Sequence, residues 1–206
     1  MHIYLATNST YKLSQISQFF LKENLKGVFL HSAEAVGGMP EVDETEATYE
    51  GNARLKALAL AKQCPEGSYV LSDDSGLEVE ALGGAPGVHS ARFGGSQANA
   101  KENNLLLLEK MRHLSGDARK ARFVACLFLL NTASGEESIF KGYYTGTIAL
   151  SYPPEGDGKI GYMPIFIPEG EVEALAFLPA IVLETLSHRA QAFRNLVTHI
   201  QKTKLD

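Results

Sequence analysis

The sequence predicts an α/β protein built on a mixed β-sheet. Apolar runs of strand length alternate with segments of helical period through the first half of the chain. Two long, apolar or alternating runs then flank a Ser-Gly turn, and one helical segment closes the chain. At 206 residues this is one ordinary domain, or one domain of two lobes, and 45% hydrophobic residues suffice for a sizeable core.

His2 to Ala6 reads as a short buried strand, and Thr7 to Thr10 as a polar turn. Leu13, Ile16, Phe19 and Phe20 recur at helical spacing, so a helix starts near Thr10. Gly27 to His31 predicts a second strand, and Gly37 to Thr45 a loop holding Pro40 and a run of acids. Thr48 to Gln63, rich in alanine and leucine, predicts a helix. Tyr69 to Ser72 predicts a buried strand that ends on Asp73-Asp74-Ser75-Gly76. Leu77 to Leu82 predicts another, closed by the turn Gly83-Gly84-Ala85-Pro86-Gly87. Ala98 to Leu114 predicts a helix. Ala121 to Asn131 and Ser138 to Leu150 predict paired strands joined at Ser134-Gly135. Ser151 to Gly161 reads as a Pro/Gly loop and Pro164 to Ile167 as a short strand. Ala190 to Gln201 predicts the last helix, with Ala192, Phe193, Leu196, Val197 and Ile200 on one face. Neither a repeat nor a linker interrupts the pattern.

Composition narrows the function. Nineteen basic residues against 24 acidic ones give a net charge of −5, which argues against a protein that coats nucleic acid. A small anionic ligand stays open, because a few lysines can gather in one cleft. Cys64 and Cys126 are too few for a disulfide framework and lack metal spacing, so both read as reduced core thiols. The first residues read as a strand rather than a signal peptide, and no apolar run approaches the ~20 residues needed to span a bilayer. The expectation is a cytoplasmic protein that engages neither nucleic acid nor membrane.

Four groups carry chemistry. Asp73-Asp74-Ser75-Gly76 sits at an expected strand end, where ligands bind in α/β sheets. Two adjacent carboxylates repel, so burying both requires a cation; Mg²⁺ prefers such oxygen donors, and the second carboxylate can activate water. The same tetrapeptide is also good turn chemistry. Thr7-Asn8-Ser9-Thr10-Tyr11-Lys12 opens a helix whose N–H groups attract phosphate. A lysine there opposes the helix dipole unless an anion accompanies it. A plain N-cap with a solvated lysine would look alike. Asn52 and Lys56 lie four apart, so they share a helix face; a surface stripe would do the same. Ser187-His188-Arg189 precedes the last helix and offers donors to carbonyl or phosphate oxygens, or only a capped helix start. Glu41, Asp43, Glu44 and Glu46 form an acidic loop that can complete a metal site or simply be solvated.

Their order is more telling than any one group. Thr7 to Lys12, Asn52-Ala53 with Lys56-Ala57, Asp73-Asp74-Ser75-Gly76-Leu77, and Gly83-Gly84-Ala85-Pro86-Gly87 with Ser90-Ala91-Arg92 come first. Gly161-Tyr162 with Pro164-Ile165-Phe166, and Ser187-His188-Arg189, complete the series. This series resembles the inosine/xanthosine triphosphate pyrophosphatase family nearly end to end, most specifically from Asp73 to Arg92. The resemblance implies a long mixed sheet with flanking helices, two lobes around a central nucleotide cleft, and a homodimer. It implies Mg²⁺-dependent hydrolysis of aberrant purine nucleoside triphosphates (dITP, ITP, XTP) to monophosphate and pyrophosphate. By the resemblance Asp74 is the base, with Asp73 beside it, and Glu44 or its rival Asp43 is the further metal-binding acid. The phosphate grip falls on Thr7, Asn8, Ser9, Lys12 and Lys56. Ser75 falls in the substrate-contacting stretch, and Gly161, Tyr162, His188 and Arg189 read the base.

The sequence departs from that pattern at Ser9, where the family has asparagine, and at Gln15, where it has glutamate. Ile160 and Met163 replace an aromatic ring and an acid, and Leu183 replaces a lysine. These losses fall on substrate recognition rather than hydrolysis. They keep open a pyrophosphatase of shifted base specificity, or a nucleotide-binding relative with little turnover.

Overall fold

A computed structural model describes residues 1–203 of the chain. The elements run β1 (His2–Ala6), α1 (Thr10–Glu23), β2 (Phe29–Ser32), α2 (Tyr49–Ala61), β3 (Tyr69–Val79), β4 (Pro86–Gly87) and α3 (Ala100–Lys110). They continue with β5 (Lys120–Asn131), β6 (Glu137–Ile148), β7 (Phe166–Pro168), α4 (Ala180–Leu186) and α5 (His188–Thr203). The strands are hydrogen-bonded in the order β2-β1-β3-β5-β6-β7, with β4 also on β3. β1 is parallel to β2 and β3, whereas β4 and β7 are antiparallel to their partners, so the sheet is mixed as expected. The chain forms two compact units. One comprises Met1–Asp74, Ala125–Gly142 and the chain from Arg189; the other comprises Ser75–Val124 and Tyr143–His188.

In the first unit, strand alternation sorts side chains onto two faces. Ile3, Leu5, Leu71, Ala125, Leu127 and Leu129 pack with Ile16, Phe19 and Phe20 of α1 and with Phe193, Leu196 and Ile200 of α5. Phe193 stacks on Phe19 and meets Phe20 edge-on, with centroids 5.0 and 4.9 Å away. On the other face Tyr4, Ala6, Val70, Phe128 and Leu130 pack against Ala53, Ala57 and Leu60 of α2. Small alanines on α2 let its backbone approach β3, where the Ser72 hydroxyl donates to Ala53 O at 2.6 Å. Each fully buried Leu, Ile or Phe contributes about 1.5–3 kcal/mol.

The second unit centres on Leu77, Val79, Leu107, Met111, Phe123, Ile148, Ile165, Phe166 and Leu175. Arg119 is buried there without a carboxylate. Its guanidinium donates to the main-chain oxygens of Met111, Leu114, Ile148 and Ala149, which satisfies most of its protons. Cys126, in the first unit, is buried and its thiol pKa is pushed up to about 12; Cys64 is half-buried, so neither is a reactive thiol. Among the described residues no helix is long and apolar enough to cross a membrane.

Several expectations need correction. Asp73-Asp74-Ser75-Gly76 is not a strand end: β3 runs unbroken from Tyr69 to Val79 and absorbs the separate strand expected at Leu77 to Leu82, whose tail is a 3₁₀ turn at Glu80–Leu82. Turn-forming residues are held extended because Gly76, Leu77 and Val79 are buried. The last helix starts at His188 rather than Ala190, so His188 and Arg189 occupy its first turn. Helix α3 is shorter than the expected Ala98 to Leu114. α4 adds to the elements expected from the sequence, and Pro179 precedes it as its N-cap.

Candidate active site

β1 pairs with β3 only as far as Ala6 opposite Ser72. The chain then turns away through Thr7–Ser9 into α1, so Asp73 and Asp74 extend past their β1 neighbour. Ser9 caps α1 by accepting from Lys12 N at 3.3 Å, and Thr7 Oγ1 accepts from Ser9 N at 3.0 Å. A cavity of about 330 Å³ opens there. Its walls are Thr7, Asn8, Ser9, Lys12, Lys56, Glu44 and Asp73, with Met39 to Val42 of the acidic loop completing them.

Successive residues of a strand face opposite ways, and this decides the electrostatics. Asp73 faces α1 and α5. Its Oδ1 accepts from Lys12 Nζ at 3.3 Å and its Oδ2 from Arg189 Nε at 2.5 Å; Lys12 also donates to Asp73 O at 3.1 Å. Arg189 Nη1 donates to Gln15 Oε1. Asp74 faces α2, and its Oδ1 accepts from Lys56 Nζ at 2.9 Å. Lys56 also reaches Glu44 Oε2 at 3.4 Å. The adjacent aspartates therefore do not share one cation; each has its own, on its own side of the sheet.

The two carboxyls diverge accordingly. Burial opposes ionisation of Asp73, but the charges of Arg189 and Lys12 outweigh it and hold the carboxyl well below the usual range. For Asp74 burial prevails over Lys56 and Lys12, with Glu44 adding to it, so its carboxyl titrates above the usual range. Lys12 is pushed down, mainly by burial, with Asp73 opposing. The anion demanded by a lysine at the start of α1 is thus supplied in part from within the fold.

Among the described residues, Asp74 Oδ2 is buried without a hydrogen-bond partner. A buried, ionisable oxygen left open beside Glu44 suits a hard cation. No three metal-binding side chains cluster among the described residues. Asp73, with both oxygens engaged, is the poorer ligand. Glu44 lines the cavity, whereas Asp43 is exposed and outside it.

The remaining residues fall as follows. Asn52, four residues before Lys56, clamps the acidic loop: its Oδ1 accepts from Glu46 N at 3.0 Å and its Nδ2 donates to Glu46 O at 3.2 Å. Ser75 is half-buried on β3 in the second unit. In that unit His188 stacks on Phe123, with centroids 5.0 Å apart. Gly161 adopts a left-handed φ of 52°, and the Tyr162 hydroxyl donates to Ser90 O at 2.9 Å. Tyr162 is buried, so its ring belongs to the core of that unit. Met163 and Leu183 pack against the same core, while Ile160 is exposed. Gln15, noted in the sequence only as a departure, is a partner of Arg189. Its position one helical turn after Tyr11 and Lys12 was the available signal.

A family model described as the Ham1 family matches residues 3–199. This chain belongs to the Ham1 family. It is 37% identical over 199 residues to a dITP/XTP pyrophosphatase of Opitutus terrae, covering 95% of this chain and 97% of that one. It is 47% identical over 162 residues to a dITP/XTP pyrophosphatase of Exiguobacterium, covering 78% and 79%. A solved HAM1 protein from Coxiella burnetii superposes on this Ham1-family chain with a TM-score of 0.86 at 30% identity, covering 98% of this chain and 99% of the other.

Proposed function

We infer that this Ham1-family chain is a pyrophosphatase of nonstandard purine nucleoside triphosphates, the dITP/XTP class. Water attacks at the α–β phosphoanhydride, giving nucleoside monophosphate and pyrophosphate. The observation that carries this reading is Asp74. One of its oxygens is fixed by Lys56, which also walls the cavity, and the other is buried without a hydrogen-bond partner among the described residues. Membership of a family whose relatives bear the dITP/XTP pyrophosphatase name supports it.

Asp74 is the general base. Burial raises its pKa toward the working range, which suits a group that must take a proton from water and later release it. Lys56 holds Oδ1 and so fixes the orientation of the carboxylate. Lys12 and Lys56 face the cavity as cations for phosphate oxygens, and the Thr7–Ser9 turn at the start of α1 supports the same anion. Asp73 orients Lys12 and Arg189 rather than reacting. The paired charges already balance: Asp73, Asp74 and Glu44 face Lys12, Lys56 and Arg189. An entering triphosphate therefore adds negative charge with no surplus protein cation to meet it. Glu44 and Asp74 are the residues that would hold Mg²⁺, with Asp73 and Asp43 secondary. When bound, Mg²⁺ supplies Lewis-acid neutralisation of the phosphate oxygens. His188, Arg189 and the Gly161-Tyr162 segment are read as the base-recognition set, on the family resemblance. The homodimer and the cytoplasmic location are carried by the same resemblance and the composition.

A screen of nucleoside triphosphates for pyrophosphate release, with Mg²⁺ and with excess chelator, tests the reading. Selective release from dITP and XTP that chelator abolishes is expected. Orthophosphate as the first product, or turnover unaffected by chelator, refutes it. The replacement of an aromatic ring, an acid and a lysine of the family pattern by Ile160, Met163 and Leu183 favours one variant of the reading, in which standard purines are rejected less sharply.

A further inference from the structure

Helix α3 inverts the usual burial pattern. Asn103 and Asn104 are 4% and 1% exposed, while the neighbouring Leu105 is 45% exposed. Asparagine is a poor helix former, and a buried amide costs free energy unless it is hydrogen-bonded. Both side chains reach across to other segments of the second unit. Asn103 Oδ1 accepts from Gly94 N at 2.7 Å, and its Nδ2 donates to Ala91 O at 3.1 Å. Asn104 Nδ2 donates to Gly161 O at 2.8 Å and to Ala100 O of its own helix at 2.6 Å, while its Oδ1 is buried without a hydrogen-bond partner among the described residues. Tyr162 OH donates to Ser90 O, and Ser90 Oγ donates to Gly87 O while accepting from Leu77 N at 2.8 Å.

These bonds form a ring. Asn103 holds the segment after Ser90, Ser90 holds Tyr162, and Asn104 holds Gly161. Three buried polar groups thus pin one short segment whose flanking Ile160 is exposed and whose Gly161 is left-handed. Neutral amides and hydroxyls are weaker adhesives than packed leucines, yet they fix a carbonyl in one place, because hydrogen bonds are directional.

We propose that Asn103 and Asn104 are positioning residues for base recognition. They hold the Gly161-Tyr162 main chain at the register the purine requires, without touching the nucleotide. This rests on the reading that this segment meets the base.

The test is Asn104→Ala, with Tyr162→Phe as a second variant that deletes only a hydroxyl. Each removes one tether, so KM for dITP should rise about five- to tenfold while kcat changes less. Inhibition by inorganic tripolyphosphate, which has no base, should keep its Ki. The double variant should raise KM by less than the product of the single effects, because both tethers hold one segment. Amide hydrogen exchange of residues 160–163 should accelerate in Asn104→Ala relative to the rest of the second unit. Unchanged KM for dITP, a parallel rise in tripolyphosphate Ki, or unaltered exchange at 160–163 overturns the proposal. Wild-type protein that releases no pyrophosphate from dITP overturns the function proposed above; in that case the exchange experiment still decides whether Asn104 holds the segment.

Discussion

Replacing Arg189 with methionine keeps most of the side-chain volume and removes the guanidinium from a fully buried carboxylate. Asp73 has no exposed side-chain surface and Arg189 has 5%. Removing one partner of a buried ion pair costs ~3–5 kcal/mol, because the charge left behind is unpaired. Lys12 still donates to Asp73 Oδ1, so the lower end applies, about 3 kcal/mol. For a chain of this length that is a fall of ~6–12 °C in Tm. The loss has a pH signature. Asp73 titrates below its ordinary value in the wild type, chiefly against burial and through Arg189 and Lys12. Its contribution to stability is therefore present above the ordinary carboxylate pKa of ~3.9 and lost as pH falls through the depressed value. In the variant the Asp73 pKa rises, and protonation relieves the unpaired charge. The deficit should be full at pH 7 and shrink towards acid pH. Urea unfolding followed by circular dichroism at several pH values measures it. A deficit under about 1 kcal/mol at pH 7, or one equal at every pH, would refute the claim that Arg189 compensates Asp73.

Asp74→Asn should lower kcat for pyrophosphate release by about 10²–10⁴-fold with little loss of Tm, since the proposed base is lost without a change of size; near-wild-type turnover would remove Asp74 from that role. The acid limb of kcat/KM should lie above the usual carboxylate range, because burial raises Asp74 and only its ionised form accepts a proton. Lys56→Met should move that limb to still higher pH, because Lys56 opposes the shift; movement to lower pH contradicts the pairing. A Cβ at Gly51 would lie 2.6 and 2.8 Å from Glu46 Cβ and Cγ. Gly51→Ala should therefore displace the acidic loop and raise the Mg²⁺ concentration for half-maximal activity several-fold, as titration of the metal in the pyrophosphate assay would show.

Much of this molecule was legible in its order of residues. The short buried run of β1, the Leu13-Ile16-Phe19-Phe20 stripe, the alanine-rich α2 and the apolar face of α5 each follow from local composition and periodicity, and all four appear within two residues or so of their expected limits. The candidate site residues were legible as residue types in sequence order. What the linear pattern misjudged was Asp73-Asp74-Ser75-Gly76, because turn propensity is local whereas burial of the flanking Leu71, Gly76 and Leu77 is not. Once that segment is extended, the pleat sends Asp73 and Asp74 to opposite faces. Lys12 and Arg189, 177 positions apart in sequence, then meet one carboxylate while Lys56 meets the other. A pattern of spacings cannot assign such partners, because pairing across elements depends on which faces pack together. The same holds for Asn52, Asn103 and Asn104. Each resembles an ordinary polar helix residue until tertiary packing buries it against the main-chain groups that it holds in place.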